Sequence, residues 1–547
     1  MAIEAWQEKA LKAQEGRDAS LAKVEPPLKG ISTEAEKLPL NSRGLPREVL
    51  TEREIEITEK PVSELLAILR ERSISVEEVT RAFLRRAAVA QVATNCLTSL
   101  LWDFAITRAK YLDSLPEPKG ALFGLPISTK EHHGMVGENV ASNASYVSWI
   151  DKPHGSNVLY DTLWDEGCVF FARTTQPQTI MHLETNSNVY GRTVNPYNRD
   201  LTPGGSSGGE AALIGMRGSV LGIGGDIGGS IRCPAAHCGI YGFKPTTQRI
   251  SLAGSRSHCA GKETILATCG PMATERESLS LLMQVALSSK PWRIDPGLIN
   301  RPWTPYTFPS DRPLKIAVQW WDGVVRPHPP MIRALKEVSE ACRKAGMDVV
   351  EWDCTDLDHK KAWEITAALY WPDGGAEVLG LLEESGEPAL PLTEFIISEQ
   401  KSVKKRDMHE LWKLCAERDA YRAFYANAWN KTASSPDGSG EVDVILCPPS
   451  FGAATPHDQS RYWGYTSQWN LLDYPGVVFP VTTVDPVMDA KVEGYEPVNE
   501  EDRFCYEMYE PERYKDAPVS LQIIGRRGCD EMVLKALEVV ERAMGRE

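Results

Sequence analysis

The stretch GIGGDIGGSIRCP, residues 222–234, surrounds one serine, Ser230, with glycines and places Arg232 two residues after it. Ordering a glycine costs more conformational entropy than ordering another residue. Folded chains therefore keep glycine runs where the backbone approaches something closely or adopts angles that a Cβ forbids. The stretch has three interpretations: a cradle for a ligand, a loop around a reactive serine, or a flexible linker.

Nucleotide-binding loops fit these glycines poorly. A phosphate loop needs a lysine after its last glycine, and the nearby GGSSGGEAA has none. A dinucleotide fingerprint needs a third glycine after Gly222 and Gly224, where this chain has Ile227. The pattern therefore does not favour phosphate binding.

A nucleophile elbow, GxSxG, is the second alternative. Residues 204–208 match it with Ser206 at the centre, and a shifted frame makes Ser207 fit as well. The elbow also requires a late catalytic histidine, and His457 is the only histidine after residue 409. A lone histidine in ATPHDQSRYWGY is more typical of a structural role.

A serine can instead be activated by a lysine that burial keeps neutral. The segment GLPISTKEHHG offers Lys130 at the end of an apolar run. A free lysine has a pKa of about 10.4, so lowering it to about 7.4 requires roughly 4 kcal/mol of disfavour for the ammonium form. A solvated lysine at a strand end is the alternative interpretation of the same residues.

Metal chemistry has little support in the sequence. His237 with Cys238 and His258 with Cys259 are adjacent pairs, but their spacing supplies no tetrahedral ligand set. We expect neither a metal nor an organic cofactor.

Composition limits the class of protein. The chain has 547 residues, a formal net charge of −15 and 42% hydrophobic residues, which indicates a globular protein with a sizeable interior and disfavours nucleic acid as a partner. Twelve cysteines without a CxxC pair suit reduced thiols. Neither a secretory signal nor an apolar run long enough to span a membrane is found, so we expect a cytoplasmic protein.

Strands and helices alternate along most of the chain. A capping-box pattern at Ser75 and Glu78 starts a helix, residues 3–16 and 530–544 are helical in pattern, and residues 355–435 resemble a helical insertion. Strands are predicted at 123–130, 168–174, 314–320, 442–449, 476–482 and 518–525, and in MDVVEW. This alternation predicts an α/β fold with a largely buried, mixed and mainly parallel sheet covered by helices.

The block LTPGGSSGGEAALIGMRGSVLGIGGDIGGSIRCPAAHCGIYGFKPT, residues 201–246, closely resembles the signature of the amidase signature family of serine hydrolases. The resemblance extends from about residue 55 to 545 through GLPISTKEHHG, TTQPQTIMHLETNSNVYGRTVNPYN and APVSLQIIGRRGCDEMVLKALEVVE. Within the family the chain is most similar to fungal acetamidase-type and general amidases.

The resemblance implies a catalytic triad of Ser230 as nucleophile, Ser206 in a cis peptide, and Lys130 as base. It also implies that backbone N–H groups of Ile227, Gly228, Gly229 and Ser230 form the oxyanion hole, for which the glycines leave room. The family further implies supporting roles for Ser207, Asp226 and Arg232, and an acyl pocket lined by Ile180, Met181 and Leu183. For Asp226 and Arg232 an ordinary ion pair is the alternative, and for the three apolar residues a place in the core.

The sequence departs from the family pattern beside the lysine. Family members commonly have aspartate after the catalytic lysine, whereas here Lys130 is followed by Glu131, His132 and His133. A carboxylate pointing at the lysine would favour its charged form and move the ionisation to higher pH.

We therefore expect one large amidase domain over residues 55–547, preceded by a helical and extended arm over residues 1–54. The implied reaction is hydrolysis of a carboxylic amide through an acyl-serine. The partners expected are a small amide substrate and, as one assembly state, a second copy of the chain. The alternatives are arylacylamidase, indoleacetamide-type or ester hydrolysis at the same site, and a catalytically silent protein that binds a small ligand.

Overall fold

The structure, a computed structural model, describes residues 4–135, 145–152, 155–258, 260–436 and 438–546. Its α-helices are α1 Ala5–Leu21, α2 Leu45–Val49, α3 Glu52–Thr58, α4 Val62–Arg70, α5 Val76–Thr94, α6 Trp102–Ser114, α7 Val158–Asp165, α8 Gly208–Gly215, α9 Arg232–His237, α10 Arg276–Ser288, α11 Pro329–Lys344, α12 His359–Tyr370, α13 Ala376–Ser385, α14 Pro391–Glu394, α15 Met408–Asn430, α16 Gly464–Leu471, α17 Glu500–Glu507 and α18 Asp530–Ala543. Among these described helices, none is both long and apolar enough to cross a membrane.

The strands are β1 Leu97–Leu100, β2 Pro126–Lys130, β3 Val169–Thr174, β4 Asn186–Ser187, β5 Gly191–Arg192, β6 Leu221–Asp226, β7 Tyr241–Lys244, β8 Thr268–Ala273, β9 Lys315–Val318, β10 Asp348–Glu351, β11 Val444–Cys447, β12 Gly476–Thr483 and β13 Pro518–Ile524. Eleven of them form one sheet in the order β1-β3-β2-β6-β8-β7-β12-β13-β11-β9-β10, while β4 and β5 pair separately. The large mixed sheet flanked by helices, expected from the sequence, is confirmed.

Parallel pairing occurs in two blocks of the large sheet. β2 runs parallel to both β3 and β6, and β9 runs parallel to both β10 and β11, while antiparallel strands join the two blocks. The carboxyl ends of β3, β2 and β6 consequently meet at one edge, where ligands of α/β sheets commonly bind. Lys130 ends β2 and Asp226 ends β6.

Both faces of the sheet are buried, as the near-continuous apolar strands predict. On β11, Val444 and Leu446 belong to one apolar cluster and Ile445 and Cys447 to another on the opposite face. The second cluster contains most of the buried apolar side chains of α12, α15 and α16. The sheet is therefore the centre of a three-layer core.

The strand Leu221–Asp226 differs from the sequence interpretation, which treated residues 222–234 as a bare loop. The strand pairs with β8 along its whole length, and its Gly222 pairs with Ser128 on β2. Glycine normally weakens a strand because it has no side chain to pack. Here neighbouring side chains occupy the space that a Cβ would take.

The helix predicted after Ser75 is confirmed as α5. Ser75 Oγ accepts from the N–H of Glu78, whereas the Glu78 carboxylate accepts from Arg53 on α3. The Asp113 carboxylate accepts from the next two N–H groups, those of Val76 and Glu77. The N-terminus is thus capped by two side chains rather than by a reciprocal capping box.

Candidate active site

Lys130, Ser206 and Ser230 line one cavity of about 320 Å³. Lys130 reaches it from the end of β2, Ser230 follows the neighbouring strand β6, and Ser206 precedes α8. All three are buried. The fold therefore brings together three residues that are separated by up to a hundred positions in the sequence.

The amine of Lys130 is the most unusual group at the cavity. Its Nζ donates to Ser206 Oγ across 2.5 Å. Burial lowers the pKa of Lys130 to about 7, although the nearby Asp226 and Glu210 carboxylates oppose that shift. Near pH 7 a substantial fraction of the lysine is consequently neutral and able to accept a proton.

The serine pair before α8 joins two segments of the site. The peptide bond between Gly205 and Ser206 is cis. The Ser207 N–H donates to the carbonyl oxygen of Ser230 at 3.1 Å. Ser207 Oγ donates to the carbonyl of Gly225 at 3.3 Å and accepts from its N–H at 3.2 Å. Ser207 therefore links β6 to the start of α8, whereas Ser206 lines the cavity.

Asp226 organises the backbone that carries Ser230. Its carboxylate accepts from the N–H groups of Gly229 at 2.9 Å and Ile231 at 3.1 Å, and from Arg232 Nε at 3.1 Å and Nη2 at 3.0 Å. Asn470 on α16 donates to Asp226 at 2.8 Å and accepts from Arg232 at 2.6 Å. Burial opposes ionisation here, but the charge and hydrogen bonds of Arg232, together with Lys244 and Asn470, outweigh it and hold the pKa of Asp226 well below its usual range.

The outer side of the same loop is held by two helices. The Tyr370 hydroxyl on α12 donates to the carbonyl of Ile227, and Thr466 Oγ1 on α16 donates to that of Gly228 at 2.7 Å. A trans peptide directs its N–H opposite to its carbonyl, so the Gly228 N–H points away from Tyr370. Gly229 has φ +127°, and a Cβ there would lie 2.2 Å from Thr466 Oγ1. Only glycine fits that position.

The apolar segment expected to line the pocket is divided between cavity and core. Ile180 and Met181 line the cavity, whereas Leu183 is buried in the apolar cluster that also contains Cys233. Thr179 and Ile180 have φ of 67° and 61°, so the segment turns just before Met181. A place for Leu183 in the acyl pocket stays a prediction, since Met181 belongs to the same apolar cluster and still lines the cavity.

Glu131, the departure beside the lysine, is directed elsewhere. Its carboxylate accepts from Arg173 Nε at 2.9 Å and from the Thr98 hydroxyl. His132 lines the cavity, and its Nδ1 is 2.9 Å from Gln176 Oε1. Glu131 is not among the charges that shift the pKa of Lys130, whereas Asp226 and Glu210 are.

The histidines of the alternative interpretations lie in other surroundings. His457 Nε2 is 3.0 Å from the carbonyl of Arg199, and its Nδ1 is 3.5 Å from Glu184. His237 is buried against Cys233 on α9. Cys259 is outside the described residues, and His258 lines the cavity with its pKa lowered by burial to about 3.

Several residues of the site were missed by sequence reasoning. Tyr370, Thr466 and Asn470 are 140 or more positions from the loop they hold, and no local pattern indicates such contacts. Glu210 had a signal, because it is the one charged residue in the otherwise apolar helix GGEAALIG.

Comparison with known proteins gives consistent matches along the chain. A family model described as Amidase matches residues 78–534. A putative amidase, C550.07, of Schizosaccharomyces pombe is 43% identical over 544 residues, with 98% of each chain covered. The acetamidase of Emericella nidulans is 38% identical over 508 residues, with 91% of each chain covered. Among solved structures, a fatty acid amide hydrolase superposes with a TM-score of 0.91 at 33% identity, covering 99% of this chain and 95% of that one.

Proposed function

The chain belongs to the amidase signature family of amide hydrolases, and from this premise we propose that it converts a carboxylic amide to the acid and ammonia through an acyl-Ser230 intermediate. The observation that carries the proposal is the contact between Lys130 Nζ and Ser206 Oγ on the wall of the cavity that Ser230 also lines. A lysine with its pKa lowered to about 7 is suited to general-base catalysis at neutral pH.

In the proposed acylation, neutral Lys130 accepts the hydroxyl proton of Ser206 while Ser206 accepts that of Ser230. Ser230 Oγ bonds to the amide carbon, and the carbonyl oxygen becomes an oxyanion. The same relay returns the proton to the nitrogen, so that the C–N bond breaks and ammonia leaves. Water then attacks the ester carbon by the same route and releases the acid and Ser230.

We assign the oxyanion contacts to the N–H groups of Ile227, Gly228 and Ser230. The Gly229 N–H was included in the expected set, but it already donates to Asp226 Oδ1. Its role in the proposal is to fix the loop, so that the other donors need no reorganisation when charge develops.

The substrate we propose is a small neutral amide, and the compartment is the cytoplasm. The cysteines that the structure describes are free thiols, which is consistent with a reducing environment. Ile180 and Met181 supply the apolar wall for the acyl group.

A fluorophosphonate probe with mapping of the labelled peptide tests the nucleophile directly. We expect labelling at Ser230, and we expect Ser230→Ala to remain folded while amide turnover falls at least about a thousandfold. A folded protein without labelling would favour a silent ligand-binding homologue. Labelling at Ser206 or Ser207 would favour the elbow.

A panel of aliphatic amides, aryl amides, indoleacetamide and esters defines the acyl group. We expect aliphatic amides to give the highest kcat/KM. A preference for esters or anilides would retain the acyl-serine chemistry and replace the substrate class.

A further inference from the structure

We propose that Glu210, in the first turn of α8, is a positioning residue that controls the ionisation of Lys130. The inference rests on the proposed function, in which Lys130 acts as the base. Glu210 is absent from the residues that line the cavity, so it acts through Lys130 and not on the substrate.

The carboxyl group of Glu210 is held at the two positions that flank the lysine. Glu210 is completely buried in the first turn of α8, the helix that follows Ser206 and Ser207. One carboxyl oxygen accepts from the Ser128 hydroxyl, and the other from Thr174 Oγ1 at 2.7 Å. Ser128 lies two residues before Lys130 on β2, and Thr174 is the partner of Lys130 on β3.

The third strand of this block leaves space for the acid. Gly222 on β6 is the register partner of Ser128. A Cβ at Gly222 would lie 1.8 Å from Glu210 Oε1 and 2.7 Å from Ser128 Oγ. Glycine inside a strand lowers its stability, but at this position it leaves space for a buried carboxyl group.

The hydrogen-bond partners described for this carboxyl group do not hold it in one charge state. The hydrogen bonds to Glu210 that involve described side chains come from neutral hydroxyls. Burial raises the pKa of Glu210 to about 7, against the effect of those hydroxyls and of Lys130. The acid and the base therefore change charge in the same pH range and behave as a coupled pair.

Asp226, Cys96 and Tyr160, which interact electrostatically with Lys130 or Glu210, keep one charge state near pH 7. Asp226 stays ionised because its pKa is held low. Cys96 and Tyr160 stay neutral, since burial raises the pKa of Cys96 to about 12 and that of Tyr160 well above its usual value. Arg173 on β3 is paired with Glu131. Of the two carboxylates that shift the pKa of Lys130, Glu210 is therefore the one whose charge can follow that of the lysine.

A charged Glu210 raises the pKa of Lys130, so the acid delays release of the lysine proton. Replacing it with a neutral side chain of the same shape should move the acid limb of the pH profile to lower pH. A purely structural role would lower the rate without moving the limb.

The test is kcat/KM for one small amide from pH 5 to 10 with wild type, Glu210→Gln and Glu131→Gln. We expect Glu210→Gln to lower the midpoint of the acid limb by about half a pH unit or more. Glu131→Gln is the matched control, because it also neutralises a buried carboxylate beside Lys130, and we expect it to leave the midpoint in place. An unchanged midpoint in folded Glu210→Gln overturns the inference.

Two further variants test the role of the Glu210 charge if Glu210→Gln fails to fold. Ser128→Ala and Thr174→Val each remove a hydroxyl that stabilises the Glu210 anion, and both should move the midpoint in the same direction by a smaller amount. An unmoved midpoint in both variants counts against the inference.

The pH dependence of fluorophosphonate labelling at Ser230 gives a second readout that needs no amide turnover. A limb that survives Lys130→Ala unchanged would refute both the proposed base and the role of Glu210. A limb that depends on Lys130 but ignores Glu210 would refute the role of Glu210 alone.

Discussion

The site has two polar halves, one around Lys130 and one around Asp226, which are equally buried but differ in how their charges are stabilised. On the base side, Lys130 and Glu210 have pKa values brought to about 7 from opposite directions, and Glu210 bonds to hydroxyl groups. On the loop side, Asp226 contacts the Arg232 guanidinium and Asn470, and its pKa is lowered. The partners, and not the burial, therefore determine whether a buried acid changes charge near neutral pH.

This difference assigns separate tasks to the two halves. A group that exchanges its proton near pH 7 can take part in proton transfer, whereas a locked ion pair can only hold the backbone in place. Changes on the base side should alter the shape of the pH profile. Changes on the loop side should alter rate and stability at constant shape.

The largest effect is expected for Lys130→Ala. The base must be neutral to act, and burial lowers the pKa of Lys130 to about 7, so wild-type kcat/KM should rise between pH 6 and 8 and then level off. The variant should lose at least about a thousandfold in kcat/KM at pH 8, together with that limb. Rate measurements from pH 5 to 10 check this. A wild-type profile already flat at pH 6 would contradict it.

Asn470→Ala tests the loop side without removing a charge. The variant leaves Asp226 and Arg232 each with one buried hydrogen bond fewer, which should lower the free energy of unfolding by about 1–3 kcal/mol. We expect kcat/KM to fall about ten- to a hundredfold with the midpoint of the acid limb unchanged. Denaturant unfolding and the pH profile are the measurements. A shifted midpoint would show that the two halves are not separable.

Tyr370→Phe removes a neutral contact on the outside of the loop. The carbonyl of Ile227 loses its buried donor, so the Gly228 N–H is less firmly oriented. We expect kcat to fall up to about tenfold, with KM and the pH midpoint retained. A loss as large as that of Lys130→Ala would give this hydroxyl a direct catalytic role.

His457→Ala should have the smallest effect. Its ring contacts Arg199 and Glu184 and does not line the cavity, so we expect turnover within about threefold of wild type. Steady-state kinetics check this. A folded variant as inactive as Ser230→Ala would restore the serine–histidine interpretation.

The sequence predicted the strands whose side chains are apolar, because an apolar run records burial directly. The strand β2, which ends at Lys130, is one of these strands. The sequence did not predict β6, because LGIGGD lacks the side chains by which a strand is usually recognised. β6 is a strand through its pairing with β2 and β8, and the side chains of Glu210, Ser207 and Met272 occupy the space over its glycines.

The side chains that hold the loop around Ser230 could not be predicted for a different reason. Residues 355–435 were interpreted as an insertion, yet Tyr370 within them donates to the loop. Such a contact depends on how α12 packs against the sheet, and a hydroxyl among apolar residues gives no sign of its partner. The three residues of the proposed triad could be named from the family motif, whereas the residues that hold the loop around Ser230 depend on tertiary structure.

The residue that position 222 can accept depends on the residue at position 210. A methyl group at 222 would lie 1.8 Å from Glu210 Oε1, so alanine there requires the Glu210 carboxyl group to leave its place or residue 210 to be smaller. A mutational path to a bulkier residue at 222 is therefore expected to lose the acid at 210 first. A library randomised at both codons and selected for folding should return glycine at 222 whenever it returns glutamate at 210.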